Sequence, residues 1–197
     1  DSSLSKRPMK RVTEHLSKIG ANIELRKKIF PPIKIKGTGN AVPLTFEIII
    51  PSAQIKSAIM LSALNTNGTV KIKEFKSTRD HTENMLKSMG YNIKVRENSK
   101  KRFIEMKNNK ELKTIKYNIP GDPSSAAFFS ALALLSKGSS IKIKNVGLNP
   151  TRIGFYKILK NRGAKIKFES LRKKNNEISG DILVSKIFLF RPFLIAL

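Results

Sequence analysis

At 197 residues and 40% apolar content, the chain has room for one large or two small domains with a core. It holds no cysteine, which excludes disulfides, thiolate metal sites and cysteine nucleophiles within it, and its two histidines, His15 and His81, stand too far apart in sequence to suggest a metal site. The net charge of +25 admits a nucleic-acid binder, whereas the lack of any apolar run of about 18 residues argues against a transmembrane helix and the start DSSLSKRPMKR lacks the apolar region of a secretory signal.

The first predicted element is a helix starting near Arg7, with Pro8 in its first turn and Val12, Leu16 and Ile19 forming an apolar stripe. Gly20 ends it in a left-handed cap, and the alternating NIEL that follows reads as a half-buried strand. A strand over Leu44–Ile50 comes next, then an Ala/Leu-rich helix from Pro51, apolar on most faces and therefore expected to be buried. Gly68 stops that helix and an alternating strand runs to Lys73.

The pattern then recurs. Arg79–Val95 and Arg152–Phe168 align with Arg7–Leu25: each carries a leucine (Leu16, Leu86, Leu159) four residues before a glycine (Gly20, Gly90, Gly163) and an isoleucine (Ile23, Ile93, Ile166) three residues after it. Pro120–Lys144 repeats Pro51–Lys73, with Gly138 in the place of Gly68. Further strands are predicted at Arg102–Met106, Thr114–Asn118 and Asp181–Ser185. The unit is helix, strand, helix, strand and one or two more strands in about 70 residues, an α/β fold. The chain opens in the second half of such a unit, which suggests a segment upstream. The tail SKIFLFRPFLIAL is apolar without a capping pattern, either a strand cut from its sheet or a sequence out of its proper frame.

Three segments carry candidate chemistry, each at a predicted helix start. In SLSKRPM, Arg7 is suited to a carboxylate or phosphate because its fork meets either in two parallel bonds, although a capped helix with solvated basic residues reads equally well. In Ser52-Ala53-Gln54, small residues admit a ligand to free backbone N–H groups, and Ser52 and Gln54 add a hydroxyl and an amide; the plainer reading is a serine cap with Gln54 incidental. In Ser77-Thr78-Arg79-Asp80-His81-Thr82-Glu83, Thr78 or Asp80 suits a cap and Glu83 the first turn, but a cation such as Arg79 at the positive end of a helix is unfavourable unless it meets an anion. His81 reads as a surface residue. Helix starts converging on one face would make an anion trap.

These stretches, with IPGDPSSAAFFSALALL and VGLNPTRIGFYKIL, resemble the 5-enolpyruvylshikimate-3-phosphate (EPSP) synthase family in order, over residues 1 to about 185, with Thr78 standing where the family has serine before RDHTE. The resemblance implies two domains of three βαβαββ units each, an inside-out α/β barrel. Residues 1–119 would be the last two units of the shikimate-3-phosphate-side domain, and 120–197 the first unit of the other. It implies transfer of the enolpyruvyl group of phosphoenolpyruvate to shikimate-3-phosphate, in a cytoplasmic, monomeric enzyme without cofactor or metal. By motif, Ser52, Ala53, Gln54 and Arg79 would bind shikimate-3-phosphate, and Arg7 and Gln54 phosphoenolpyruvate. The family's catalytic groups match nothing in this chain, so it is expected to be inactive alone.

Two rivals remain in view. The enolpyruvyl transferase acting on UDP-N-acetylglucosamine shares the fold and donor, but STRDHTE and KRPM argue against it. A basic nucleic-acid-binding module would explain the charge and not the motifs. With 29 lysines to 10 arginines among abundant isoleucine and asparagine, the charge also fits a codon bias spread over solvated faces, so small anions are the expected partners, with no nucleic acid and no membrane.

Overall fold

The computed structural model describes residues 1–98, 101–107 and 111–185; the apolar tail from 186 falls outside them. The chain divides into two compact units, the first Asp1–Ile115 and the second from Lys116. In the first unit a single 3-10 turn, Leu4–Lys6, precedes α1 (Lys10–Ile19), β1 (Asn22–Arg26) and β2 (Phe30–Lys36). Then follow β3 (Thr45–Ile48), α2 (Ala53–Ala63), β4 (Thr69–Glu74), α3 (His81–Ser88), β5 (Asn92–Glu97) and β6 (Arg102–Lys107). The second unit runs α4 (Pro123–Leu135), β7 (Ser140–Gly147), α5 (Gly154–Asn161), β8 (Lys165–Lys174) and β9 (Glu177–Ser185).

From β3 to β6 the order is βαβαββ. The four strands form one sheet in the order β3-β4-β6-β5, with β3 parallel to β4 and the other pairs antiparallel. The second unit repeats the last three as β7-β9-β8, while β1 and β2 form a separate two-stranded ribbon. Alternation along each strand sets which side faces inward. Phe46, Ile48, Val70, Ile72, Ile104 and Met106 are buried, packing with Ile59 and Met60 of α2 and Leu86 of α3, whereas Lys71 and Lys73 point the other way. The second core is built on Tyr156, Ile166, Ile182 and Val184.

The repeat is visible in how its helices end. Gly20, Gly90 and Gly163 have φ of 114°, 86° and 89°, the left-handed region that glycine enters without steric cost. The next amide in each case reaches back to the repeat's leucine: Ala21 to Leu16, Tyr91 to Leu86 and Ala164 to Leu159, at 3.3, 3.0 and 2.9 Å. This Schellman closure explains why a leucine and a glycine recur at that spacing.

Several expectations need correction. The helix α2 ends at Ala63, with Leu64 as its C-cap, short of Gly68. The first helix starts at Lys10, not near Arg7. Arg7 precedes Pro8 and is therefore held extended, at φ −84°, ψ 128°. No strand forms over 114–118; the second unit continues beside β7 only through one parallel bridge, Gly121 to Val146. The helix α4 is not covered all round. Ala126, Ser130, Ala133 and Leu134 are buried, but Phe128 is 79% and Leu135 77% exposed, because the sheet of its own unit covers one face. No described helix is long and apolar enough to cross a membrane.

His15 lies on α1, edge-on to Phe46 at 5.9 Å. Burial pushes its imidazole below the usual 6.5, Lys18 adds to this and Glu14 opposes it. The unfolded chain therefore takes up a proton at higher pH than the folded one, so stability is intact above that range and falls as the pH drops through it. Urea unfolding across this window is expected to show a loss below pH 6.5 that His15→Phe flattens.

Candidate anion-binding site

The helices α1 and α2 pack together in the first unit. The Ile19 carbonyl at the end of α1 accepts from the Val42 amide at 3.0 Å, and neighbouring Ala41 bridges Thr66, just past the end of α2. Both C-termini thus share one end of the unit, and the starts of α1 and α2 open at the other. Arg7 lies exposed just ahead of α1.

At the start of α2, Ser52 is extended (φ −149°, ψ 111°) and its Oγ accepts from the Ile55 amide at 3.3 Å. The cap and the ligand role are compatible, because a hydroxyl that accepts from an amide keeps its own proton for an anion. The amides of Ala53 and Gln54 are among the first helical N–H groups, which have no intrahelical partner. Ser52 and Ala53 are half-buried and Gln54 is exposed.

The parallel pairing of β3 with β4 puts the start of α3 beside that of α2, and side chains lock the two together. Ser57 and Thr82 hydroxyls meet at 2.7 Å. Beneath them lies a buried ionic cluster. Lys56 Nζ is 2.9 Å from Glu83 Oε1 and 3.2 Å from Glu74 Oε2, all three side chains at most 1% exposed. Arg102 Nη2 stands 3.5 Å from the same Glu83 oxygen. Thr78 is tied to the cluster at two points: its hydroxyl donates to Glu74 Oε1 at 2.6 Å and its carbonyl accepts from Lys56 at 3.5 Å. Ser77 bonds Glu97. Asp80 occupies the N-cap of α3 without a side-chain cap bond to the helix. Neither expected cap is therefore formed by a side chain, and the Thr78 hydroxyl is turned to Glu74 instead.

Arg79 follows Thr78 and is exposed. The repeat supplies its counterpart, Arg152, at the same place ahead of α5. Arg152 is neutralised within its own unit, with Nη2 2.6 Å from Asp122 Oδ1 and 2.9 Å from the Ser124 hydroxyl. Partial desolvation pushes the Asp122 carboxyl up, but the Ser125 and Ser124 amides, the Ser125 hydroxyl and Arg152 outweigh it and hold the group below the usual carboxylate range. No carboxylate among the described residues does the same for Arg79. The first unit thus presents a cation beside helix N-termini, which suits an incoming anion.

The architecture is that of the enolpyruvyl transferases. At fold level it matches NikO from Streptomyces tendae with a TM-score of 0.66 at 13% identity, over 94% of this chain and 43% of that one. The family described as EPSP synthase (3-phosphoshikimate 1-carboxyvinyltransferase) matches residues 1–186, and the chain belongs to it. Similar proteins include the 3-phosphoshikimate 1-carboxyvinyltransferases of Caldicellulosiruptor bescii (48% identical, 93% of this chain, 42% of the relative) and Zymomonas mobilis (42% identical, 93% and 41%). A solved EPSP synthase from Acinetobacter baumannii aligns with a TM-score of 0.80 at 37% identity, covering 94% of this chain and 41% of that one. The chain therefore spans about two fifths of the length of these relatives.

Composition gave no hint of Lys56, Glu74 or Arg102. The trace of Lys56 is positional, since it shares a helical stripe with Ile59, Met60 and Ala63, all buried. Lys56→Met would leave Glu74 and Glu83 facing each other without their shared cation. Breaking a buried ion pair by removing one partner costs about 3–5 kcal/mol, and a loss of that order is expected in urea unfolding of the variant.

Proposed function

We propose that this chain is part of a 3-phosphoshikimate 1-carboxyvinyltransferase and carries its shikimate-3-phosphate pocket. The reaction joins the enolpyruvyl group of phosphoenolpyruvate to the 5-hydroxyl of shikimate-3-phosphate and releases inorganic phosphate. Ser52 and Arg79 bind the phosphate of shikimate-3-phosphate, with the Ala53 backbone and the Gln54 amide completing the pocket. Arg7 and Gln54 face phosphoenolpyruvate. Residues 1–119 are the last two units of the domain on the shikimate-3-phosphate side, and the unit from 120 belongs to the other domain. No acid or base for proton transfer is assigned within the chain, so it binds substrate without turning it over. Its partners are two small anions and not nucleic acid.

The observation that carries this reading is the opening of SLSKRPM, PSAQ and STRDHTE at helix starts on one end of one unit, with Arg79 unneutralised where Arg152 is not. A charge-assisted bond to phosphate contributes about 1.5–3 kcal/mol, so losing it should weaken binding at least about tenfold. Calorimetric titration of the chain with shikimate-3-phosphate near physiological salt is expected to show saturable binding, weakened by that factor in Arg79→Ala. Equal affinity in the two proteins would remove Arg79 from the site.

A further inference from the structure

We propose that the buried cluster of Lys56, Glu74 and Glu83 is a positioning frame for Arg79, and that it acts through the hydroxyl of Thr78. The inference rests on the reading of Arg79 as a phosphate ligand.

Burying charge is a poor route to stability. Ion pairs taken out of water recover little more than their desolvation cost, and apolar replacements of similar volume are often as stable. The second unit uses a different solution within the same chain. Four residues after Arg79 stands Glu83; four residues after Arg152 stands Tyr156, 1% exposed, whose hydroxyl donates to the Pro123 carbonyl at 3.1 Å. A helix start can thus be tied to its neighbour at this position without buried charge. What distinguishes the first unit is the free arginine.

The cluster is aimed at the loop that carries this arginine. A loop ahead of a helix has no ladder to hold it, and Arg79 must stand at the positive end of a helix, where it is repelled. Thr78 is fixed on both sides of its Cα: its hydroxyl is held by Glu74 at 2.6 Å and its carbonyl by Lys56 at 3.5 Å. The same Lys56 holds Glu83 at 2.9 Å, inside the first turn of α3. One buried ammonium therefore ties α2 to the residue before Arg79 and to the turn after it. Serine in place of threonine keeps the hydroxyl; valine keeps the shape and removes it.

The test compares Thr78→Val, Thr78→Ser and Arg79→Ala with the unaltered chain. Shikimate-3-phosphate titration is paired with hydrogen exchange of residues 75–82 and with thermal melting. The expected result is that Thr78→Val binds about tenfold more weakly, the scale of a lost hydrogen bond to a charged group, and exchanges faster in this segment. Its melting midpoint should also fall, because the buried Glu74 carboxylate loses a donor, and Thr78→Ser should restore all three properties. Unaltered affinity and exchange in Thr78→Val overturn the positioning role even if Arg79→Ala binds weakly. Equal loss in the serine variant also overturns it, since the hydroxyl would then not be the active feature. Unaltered affinity in Arg79→Ala overturns instead the reading beneath the inference. If the unaltered chain binds no shikimate-3-phosphate, hydrogen exchange decides alone, and unchanged protection in Thr78→Val refutes the frame.

Discussion

The first unit is organised around one buried ammonium. Lys56 Nζ lies within 3.2 Å of two carboxylates from different elements, one at the end of β4 and one in the first turn of α3. In a low-dielectric interior none of these charges is tolerable alone. The need for each to keep its partners fixes α2, the β4–α3 loop and α3 in one arrangement. Apolar packing of Ile59, Met60, Leu86 and Ile104 supplies the bulk of the burial, but such contacts are non-directional. The ionic cluster adds direction, and it adds it next to the candidate phosphate ligands.

Comparison of the two units separates what the fold requires from what the site requires. Both close their helices with the same leucine–glycine cap, and both pair their last three strands in the same order. They part at the helix starts. In the second unit the arginine is engaged by Asp122 and Ser124, and the neighbouring tie between helices is a tyrosine hydroxyl. In the first, the arginine is exposed and the tie is ionic. One scaffold thus carries an arginine neutralised within its own unit and another that is exposed, with no carboxylate partner among the described residues.

Much of this was legible in the residues because periodicity and glycine placement act locally. The leucine–glycine–isoleucine spacing showed the caps and the strands after them. The positions of Ser52 and Arg79 at helix starts were legible too, since those starts follow from the same punctuation. The failures involve longer reach. Pro8 restricts the residue before it, so Arg7 left the helix assigned to it. Thr114–Asn118 alternates like a strand, yet strand formation depends on an available edge, which sequence alternation does not report. The exposed Phe128 and Leu135 show that an apolar helix is buried only where something covers it. Lys56 was hidden among 29 lysines, and its role depends on Glu74 and Glu83 arriving from 18 and 27 residues away.

The most direct measurement is a crystal structure of the chain with shikimate-3-phosphate. The account predicts the phosphate between the Ser52 hydroxyl and the Arg79 guanidinium, at the start of α2. Lys56 should still be ion-paired with Glu74 and Glu83, out of contact with the ligand. A phosphate bound elsewhere, or a Lys56 that leaves its carboxylates to reach the ligand, would contradict it.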